Sequence, residues 1–347
     1  MQPSLAPTIE HISWQQEFRD ALKSSEEIKA YFNLEQVSTH YSGFIPKKFA
    51  EKIKDSGPNS PLAKQFIPQA LEDDLKLGKL DPIGDIEHSQ QNGIIHRYKN
   101  RILFTPTTVC PVHCRYCFRK NELSQNHSIY KQSIDKLIHY LKKHQEVEEV
   151  ILTGGDPLIL SNKKLAELFN ALTQTHISYV RIHTRTPIIL PSRIDEGLME
   201  VLEKASRSLT RILFFLHTNH RDEIDDEVQK SLQKLSRLNI DTRTQTVLLK
   251  EVNDSADQLK ELFDKVIQCG FSPYYLHHPD KVKGAMHFYL ELEEGRRVYA
   301  QLRDILPGWA LPHYVIDGPH GKSLAFNPES FDFQGQLIDK DGHLRDY

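Results

Sequence analysis

From residue 102 onward, short apolar runs alternate with segments whose apolar residues recur every three or four positions. The runs at 102–104, 150–152, 179–182, 212–216, 242–248 and 274–276 predict strands. Between them, Ile134, Leu137, Ile138 and Leu141 share one helical face, as do Leu165, Leu168, Phe169 and Leu172. Leu198, Val201 and Leu202 mark a third helix, Ile224, Val228, Leu232 and Leu235 a fourth, and Leu259, Leu262, Phe263 and Val266 a fifth. A strand and a helix roughly every 30 residues is the period that parallel strands with helical crossovers require. The pattern predicts an α/β fold of six such strands, either a partial (βα)6 TIM-like barrel or a flat doubly wound sheet of the same period. In both, ligands collect beyond the carboxyl ends of the strands.

Residues 1–95 lack this alternation. Trp14, Phe18, Leu22 and Ile28 predict an apolar helical face, and Pro46, Pro58, Pro61 and Pro68 then cut the chain into short pieces ahead of a loop at 82–93. The expected division is a mostly helical N-terminal region at 1–95, a core at 96–290 and a C-terminal segment at 291–347. The first reads as a cap, or as an arm through which copies of the chain form a homo-oligomer. At 347 residues the chain can bury a substantial core. A net charge of −3 gives no reason to expect a nucleic acid or an anionic membrane as partner. No N-terminal stretch has the basic, apolar and small-residue order of a signal peptide, and the apolar run 212–216 is far too short to cross a bilayer. These features predict a cytoplasmic protein, in which thiols stay reduced.

Candidate chemistry concentrates in CPVHCRYCFRK, residues 110–120. Cys110, Cys114 and Cys117 are three of the four cysteines. The fourth, Cys269, falls in a helical pattern and reads as a small buried hydrophobe. Thiolates crowded this closely usually share a metal. Three arrangements compete: a structural zinc with His113 as fourth ligand, a disulfide strained by so short a loop, and a four-iron cluster with one iron left open to a small molecule. TGGDPL at 153–158 follows the second predicted strand and so shares the ligand edge with the cysteine loop. Its glycines let backbone approach a ligand closely. VIDGPHGKSLAF at 315–326 contains Gly-Lys-Ser, but two residues separate Gly318 from Gly321 where a Walker loop has four.

The pattern CxxxCx(aromatic)C, with Tyr116 in the aromatic place, resembles the signature of radical S-adenosylmethionine (SAM) enzymes. Lys322, flanked by glycine late in such a chain, is similar to the pyridoxal-phosphate lysine of the lysine 2,3-aminomutase family. The resemblance runs through HRY at 96–98, Arg101, FR at 118–119, TRTP at 184–187, HTNH at 217–220, QTVLLKEVND at 245–254 and YYLHHPDKVKGAMHF at 274–288. FIP at 44–46 and the stretch 81–101 resemble the bacterial branch that serves elongation factor P. Longer catabolic members carry a zinc-binding cysteine in a C-terminal extension. No cysteine follows Cys269 here, so no such zinc is expected.

The resemblance implies a radical SAM partial (βα)6 barrel with a helical N-terminal extension, and an isomerase. The implied reaction converts (S)-α-lysine to (R)-β-lysine, moving nitrogen from C2 to C3, for a separate ligase to attach to elongation factor P. Another amino acid, or catabolic lysine, is the alternative substrate. The implied cofactors are a [4Fe-4S] cluster, SAM and pyridoxal phosphate, with a flavodoxin or ferredoxin as electron donor. By position in the family's motifs, Cys110, Cys114 and Cys117 would hold the cluster. Gly154, Gly155, Asp156, His217 and Gln245 would face SAM. Lys322 would hold pyridoxal phosphate as a Schiff base, with Arg97, Tyr98 and Arg101 at its phosphate and ring. Arg119 would meet the substrate carboxylate. Asp280 would meet the ε-ammonium, and so would Asp317, whose spacing to Lys322 is shorter than in the catabolic enzymes.

Overall fold

A computed structural model describes residues 13–90, 93–124, 133–325, 337–338 and 343–345. One nine-stranded sheet organises it. An antiparallel hairpin of β1 (Ile94–Tyr98) and β2 (Arg101–Thr107) starts the sheet. Then β3 (Glu149–Gly154), β4 (Tyr179–Thr184), β5 (Arg211–His217), β6 (Asp241–Val247), β7 (Ser272–His277) and β8 (His313–Gly318) follow, each parallel to the one before. Finally β9 (Gly321–Leu324) folds back antiparallel on β8. The parallel strands curl into a nearly closed barrel, which decides against the flat sheet.

The six strands expected from the apolar runs are β2 to β7; five are longer than their runs, and β6 has the length of its run but starts one residue earlier. The helices between successive parallel strands are α1 (Ile134–Lys143), α2 (Asn162–Leu172), α3 (Glu196–Ser206), α4 (Asp226–Leu235), α5 (Ala256–Gln268) and α6 (Leu292–Ile305). The first five start at Ser133, Ser161, Asp195, Asp225 and Ser255, whose side chains accept a backbone N–H from the first turn. This satisfies donors that a helix start otherwise leaves open. The apolar faces read from the sequence are the buried ones: Leu137 and Leu141, Leu165 and Leu168, Leu198 and Leu202, Val228 and Leu232, Leu259 and Phe263. They pack on the outer face of the sheet. In β5, Ile212, Phe214 and Leu216 are buried against helices, while alternate residues Phe215 and His217 point into the barrel.

The seventh parallel strand and its hairpin were absent from the expected pattern. They matter because β1 and β9, the two edges of the sheet, meet across the barrel's open seam. The Lys322 backbone N–H donates to the Tyr98 hydroxyl at 2.8 Å. Gly321, at φ +117°, lies so close that a Cβ there would stand 2.9 Å from that hydroxyl oxygen. The glycine before the lysine is thus a packing requirement of the seam.

The N-terminal region differs from the single helical face expected there. Short helices, Trp14–Arg19, Ser25–Phe32, Lys47–Ser56 and Pro61–Phe66, are separated by irregular chain, and Ala21–Leu22 pairs as a short strand with Ile45–Pro46. The region wraps the cysteine loop: the N–H groups of His113 and Arg115 donate to the carbonyls of Phe44 and Gln65 at 3.0 and 2.9 Å. No described helix is long and apolar enough to cross a membrane.

Candidate active site

A cavity of about 750 Å³ opens at the carboxyl ends of the parallel strands. Its lining includes every residue singled out from the sequence: the three cysteines, Gly154, Gly155, Asp156, His217, Gln245, Arg97, Tyr98, Arg101, Arg119, Asp280, Asp317 and Lys322. They come from distant parts of the chain because successive strands and the loops after them all border this cavity.

The cysteine loop follows β2 and is clamped from both sides. Glu72, fully buried, accepts from Arg115 Nε and Nη2 at 2.9 and 2.5 Å and from Lys120 Nζ at 2.8 Å. Lys120 Nζ also donates to the Gly284 carbonyl at 2.9 Å, and burial brings its ammonium down to about 8. One N-terminal carboxylate thereby holds two side chains of the cysteine loop, and Lys120 ties that loop in turn to the segment at Gly284. All four cysteines are free thiols. Burial, with the neighbouring Cys114 thiolate next in weight, pushes Cys117 up to about 11. Thiolates form in such a place when positive metal charge arrives with them. His113 turns away from the loop, towards Phe44 and the Ser42 carbonyl. Among the described residues no three Cys, His, Asp or Glu side chains converge as a ligand set for a single metal ion. The orientation of His113 disfavours the zinc arrangement, in which it is the fourth ligand.

The Gly-Gly-Asp turn after β3 has a packing reason that the sequence did not reveal. A Cβ on Gly155 would lie 2.4 Å from the Val109 carbonyl oxygen, and one on Gly154 2.1 Å from the Thr105 methyl. The glycines thus let β3 close on the strand end that leads into the cysteine loop. Asp156 is buried, with its carboxylate accepting from the Thr184 hydroxyl at 2.7 Å and from the N–H groups of Leu158, Arg185 and Thr186 at 3.0, 2.7 and 2.9 Å. It knits β3 to β4, so ligand contacts of this turn fall to its backbone. In the same wall Tyr116 bonds His217 Nε2 through its hydroxyl at 2.8 Å, and Arg185 donates to that hydroxyl. Arg185 is balanced by Glu223 at 2.7 Å. Burial, then the Arg185 charge, keeps His217 neutral. The HTNH and VND motifs serve the scaffold next to it: Asn219 Oδ1 accepts from the Val247 N–H, and Asn253 Nδ2 donates to the Asn219 carbonyl.

On the opposite wall Lys322 and Asp317 are cross-strand partners in the β8–β9 hairpin and form an ion pair. Lys322 Nζ stands 5.0 Å from the centre of the Tyr275 ring. His277 Nδ1 lies 3.7 Å from the Asp317 carboxylate. Asp280 is pushed up to about 7, mainly by burial and next by the Asp317 charge. The Arg101 guanidinium stacks 3.7 Å over the Tyr98 ring. Arg97 Nε is buried without a hydrogen-bond partner, a donor suited to an anionic group of a ligand. Sequence reading missed Asp85. It is fully buried and bonds Arg97 Nη2 at 3.0 Å and Arg119 Nε and Nη2 at 2.9 and 2.6 Å. It also missed Thr153, whose hydroxyl takes Arg119 Nη1 at 3.2 Å, and the neutral, buried ring of His183.

The Radical SAM superfamily model matches residues 104–266. The L-lysine 2,3-aminomutase of Buchnera aphidicola is 34% identical over 90% of this chain and 94% of its own length. The chain belongs to the lysine 2,3-aminomutase family. The L-lysine 2,3-aminomutases of Escherichia coli and Clostridium subterminale are each 32% identical, over 86% and 89% of this chain and 90% and 76% of their own. A lysine 2,3-aminomutase is an isomerase, and membership of the radical SAM superfamily brings with it a [4Fe-4S] cluster and SAM. The cavity suits both: it offers three thiols, no competing ligand set among the described residues, and a glycine turn pressed against the cysteine loop.

Proposed function

We propose that the chain is an L-lysine 2,3-aminomutase that converts (S)-α-lysine to (R)-β-lysine with pyridoxal phosphate on Lys322. One observation carries the reading: Lys322 shares a single cavity with Cys110, Cys114 and Cys117, and the same cavity holds two carboxylates and a fixed guanidinium. When bound, the cluster and SAM supply hydrogen abstraction by a carbon radical, and pyridoxal phosphate supplies the carbonyl that activates the amine.

The chain's own residues then have defined tasks. Arg119 takes the substrate α-carboxylate through its planar fork. Asp280 and Asp317 receive the ε-ammonium at the other end, which suits a substrate with opposite charges at its two termini. Lys322 carries the aldehyde cofactor. Arg97 and Arg101 face its phosphate, with Tyr98 beside the ring. Gly154, Gly155 and Asp156, through backbone, together with His217 and Gln245, border the SAM side.

Within the family, the resemblance of 44–46 and 81–101 favours the branch whose product is passed to a ligase for elongation factor P. Phe44 lies against the cysteine loop, its carbonyl accepting the His113 N–H, so this stretch belongs to the site's immediate support. A cytoplasmic location and a flavodoxin or ferredoxin reductant accompany the reading. The test is anaerobic incubation of reconstituted protein with lysine, SAM and a reductant, followed by chiral product analysis. (R)-β-lysine is expected. Turnover of a different amino acid in preference to lysine overturns the substrate, and Lys322→Ala protein that retains cofactor absorbance overturns the role of Lys322.

A further inference from the structure

We infer that Asp85 is a positioning residue that orients Arg119 for a carboxylate ligand, by sharing one buried carboxylate between Arg119 and Arg97. The inference rests on the reading in which Arg119 meets the α-carboxylate of lysine.

Asp85 divides its oxygens. Oδ1 accepts from Arg97 Nη2 at 3.0 Å, and Oδ2 accepts from Nε and Nη2 of Arg119 at 2.9 and 2.6 Å. The carboxylate is wholly buried, and the two guanidinium side chains are only 7% and 5% exposed. Taking Arg119 along its Nε–Nη2 edge fixes the plane of the guanidinium, and Thr153 steadies Nη1. An incoming carboxylate is then met through the Nη1–Nη2 edge, without the entropy of searching for it. Without Asp85 the two arginines would repel each other in the same wall.

The loop that carries Asp85 is itself built rigidly. The Asp81 carboxylate accepts the N–H groups of Gly84, Asp85 and Ile86 at 2.8, 3.0 and 2.9 Å. Gly84 packs on Pro319, and His88 Nε2 bonds the Pro319 carbonyl at 2.9 Å. Arg97 Nη2 also donates to the Ile83 carbonyl at 2.7 Å. The loop is therefore seated on the turn between β8 and β9, beside the hairpin that bears Lys322. An N-terminal segment thus sets the carboxylate end of the cavity in register with the amine end.

The experiment compares lysine with lysinamide, which keeps both amines and lacks the carboxylate. Dissociation constants are measured by calorimetry on reconstituted protein, beside steady-state KM and kcat for lysine. In D85N, lysine binding is expected to weaken by about tenfold or more while lysinamide binding changes by less than about twofold. KM should rise more than kcat falls, with iron content unchanged. A purely structural role would weaken both ligands alike, and that result overturns the inference. Should D85N not fold, Asp85→Glu keeps the charge and displaces it by one methylene. Selective weakening of lysine then supports the inference, and equal weakening overturns it. R119M separates the two levels of argument. If wild-type protein does not prefer lysine to lysinamide, or R119M keeps that preference, the carboxylate role of Arg119 fails. If R119M loses the preference and D85N keeps it, only the role of Asp85 fails.

Discussion

Replacing Asp280 with asparagine tests how the cavity recognises a side-chain ammonium. Burial, and then the nearby Asp317 charge, raise this carboxyl from 3.8 to about 7. That rise disfavours the ionised form by roughly 4 kcal/mol, at about 1.4 kcal/mol for each tenfold change. An ammonium about 4 Å away returns about 4 kcal/mol at an effective dielectric near 20, enough to restore the charge. The sign follows directly. Below about pH 7 the free enzyme holds Asp280 protonated, so lysine binding must expel a proton and KM for lysine rises as pH falls. Above that pH the group is already ionised and this source of pH dependence disappears. Asp280→Asn removes the charge at nearly constant volume. Loss of a charged hydrogen bond, about 1.5–3 kcal/mol, lowers kcat/KM for lysine by about 10- to 150-fold. It also flattens the KM profile between about pH 6 and pH 8. Anaerobic steady-state kinetics across that range is the assay. A variant within about twofold of wild type, or one that keeps the wild-type slope, refutes the assignment.

Glu72→Gln strips the shared partner from Arg115 and Lys120 and should destabilise the fold by about 3–5 kcal/mol, read as a fall in Tm. Because Glu72 is held below the usual 4.5, its contribution is complete above that value and fades as pH drops through the lower folded one, so wild type and variant should converge in acid. Gly155→Ala should cut iron incorporation after reconstitution, since its Cβ meets the Val109 carbonyl at 2.4 Å. Gly308→Ala, with open space around it, should load iron normally, and equal loading by both would count against the packing argument. Tyr98→Phe leaves the Lys322 N–H without its acceptor, so amide exchange in β9 should quicken while β5 stays protected; unchanged exchange in β9 would show that the seam does not depend on this bond.

Much of the barrel was legible because its information is local and periodic. Residues 212–216 form an unbroken apolar run, as a parallel strand covered on both faces does, and Leu165, Leu168, Phe169 and Leu172 recur at helical spacing. The cysteine loop and the glycine turn were legible because their spacing is itself the signal. The β8–β9 hairpin was harder. Its Gly, Pro and His turn reads as loop, and β9 is partly exposed and lacks a buried alternation. The apolar series from Trp14 to Ile28 suggested one helix, but Asp20 caps the first helix and the chain turns into a two-residue strand. Asp85 left no mark at all. It is one acidic residue in a loop, and its partners lie 12 and 34 positions away, a separation with no local period. The N-terminal region reads from the sequence as a cap or an oligomer-forming arm; in the fold its Glu72 and Asp85 are wholly buried, holding side chains of the cysteine loop.

The contact between Tyr98 and Lys322 joins positions 224 residues apart in the chain. Synthesis runs from the amino end, so a growing polypeptide exposes all three thiols long before the amine opposite them exists. The ring shuts last, at the strand bearing that amine. A chain cut short before it would leave the metal-binding mouth without its far wall, open to water and oxygen from the side. The cavity therefore gains its far wall only when β9 has been made, long after the cysteine loop.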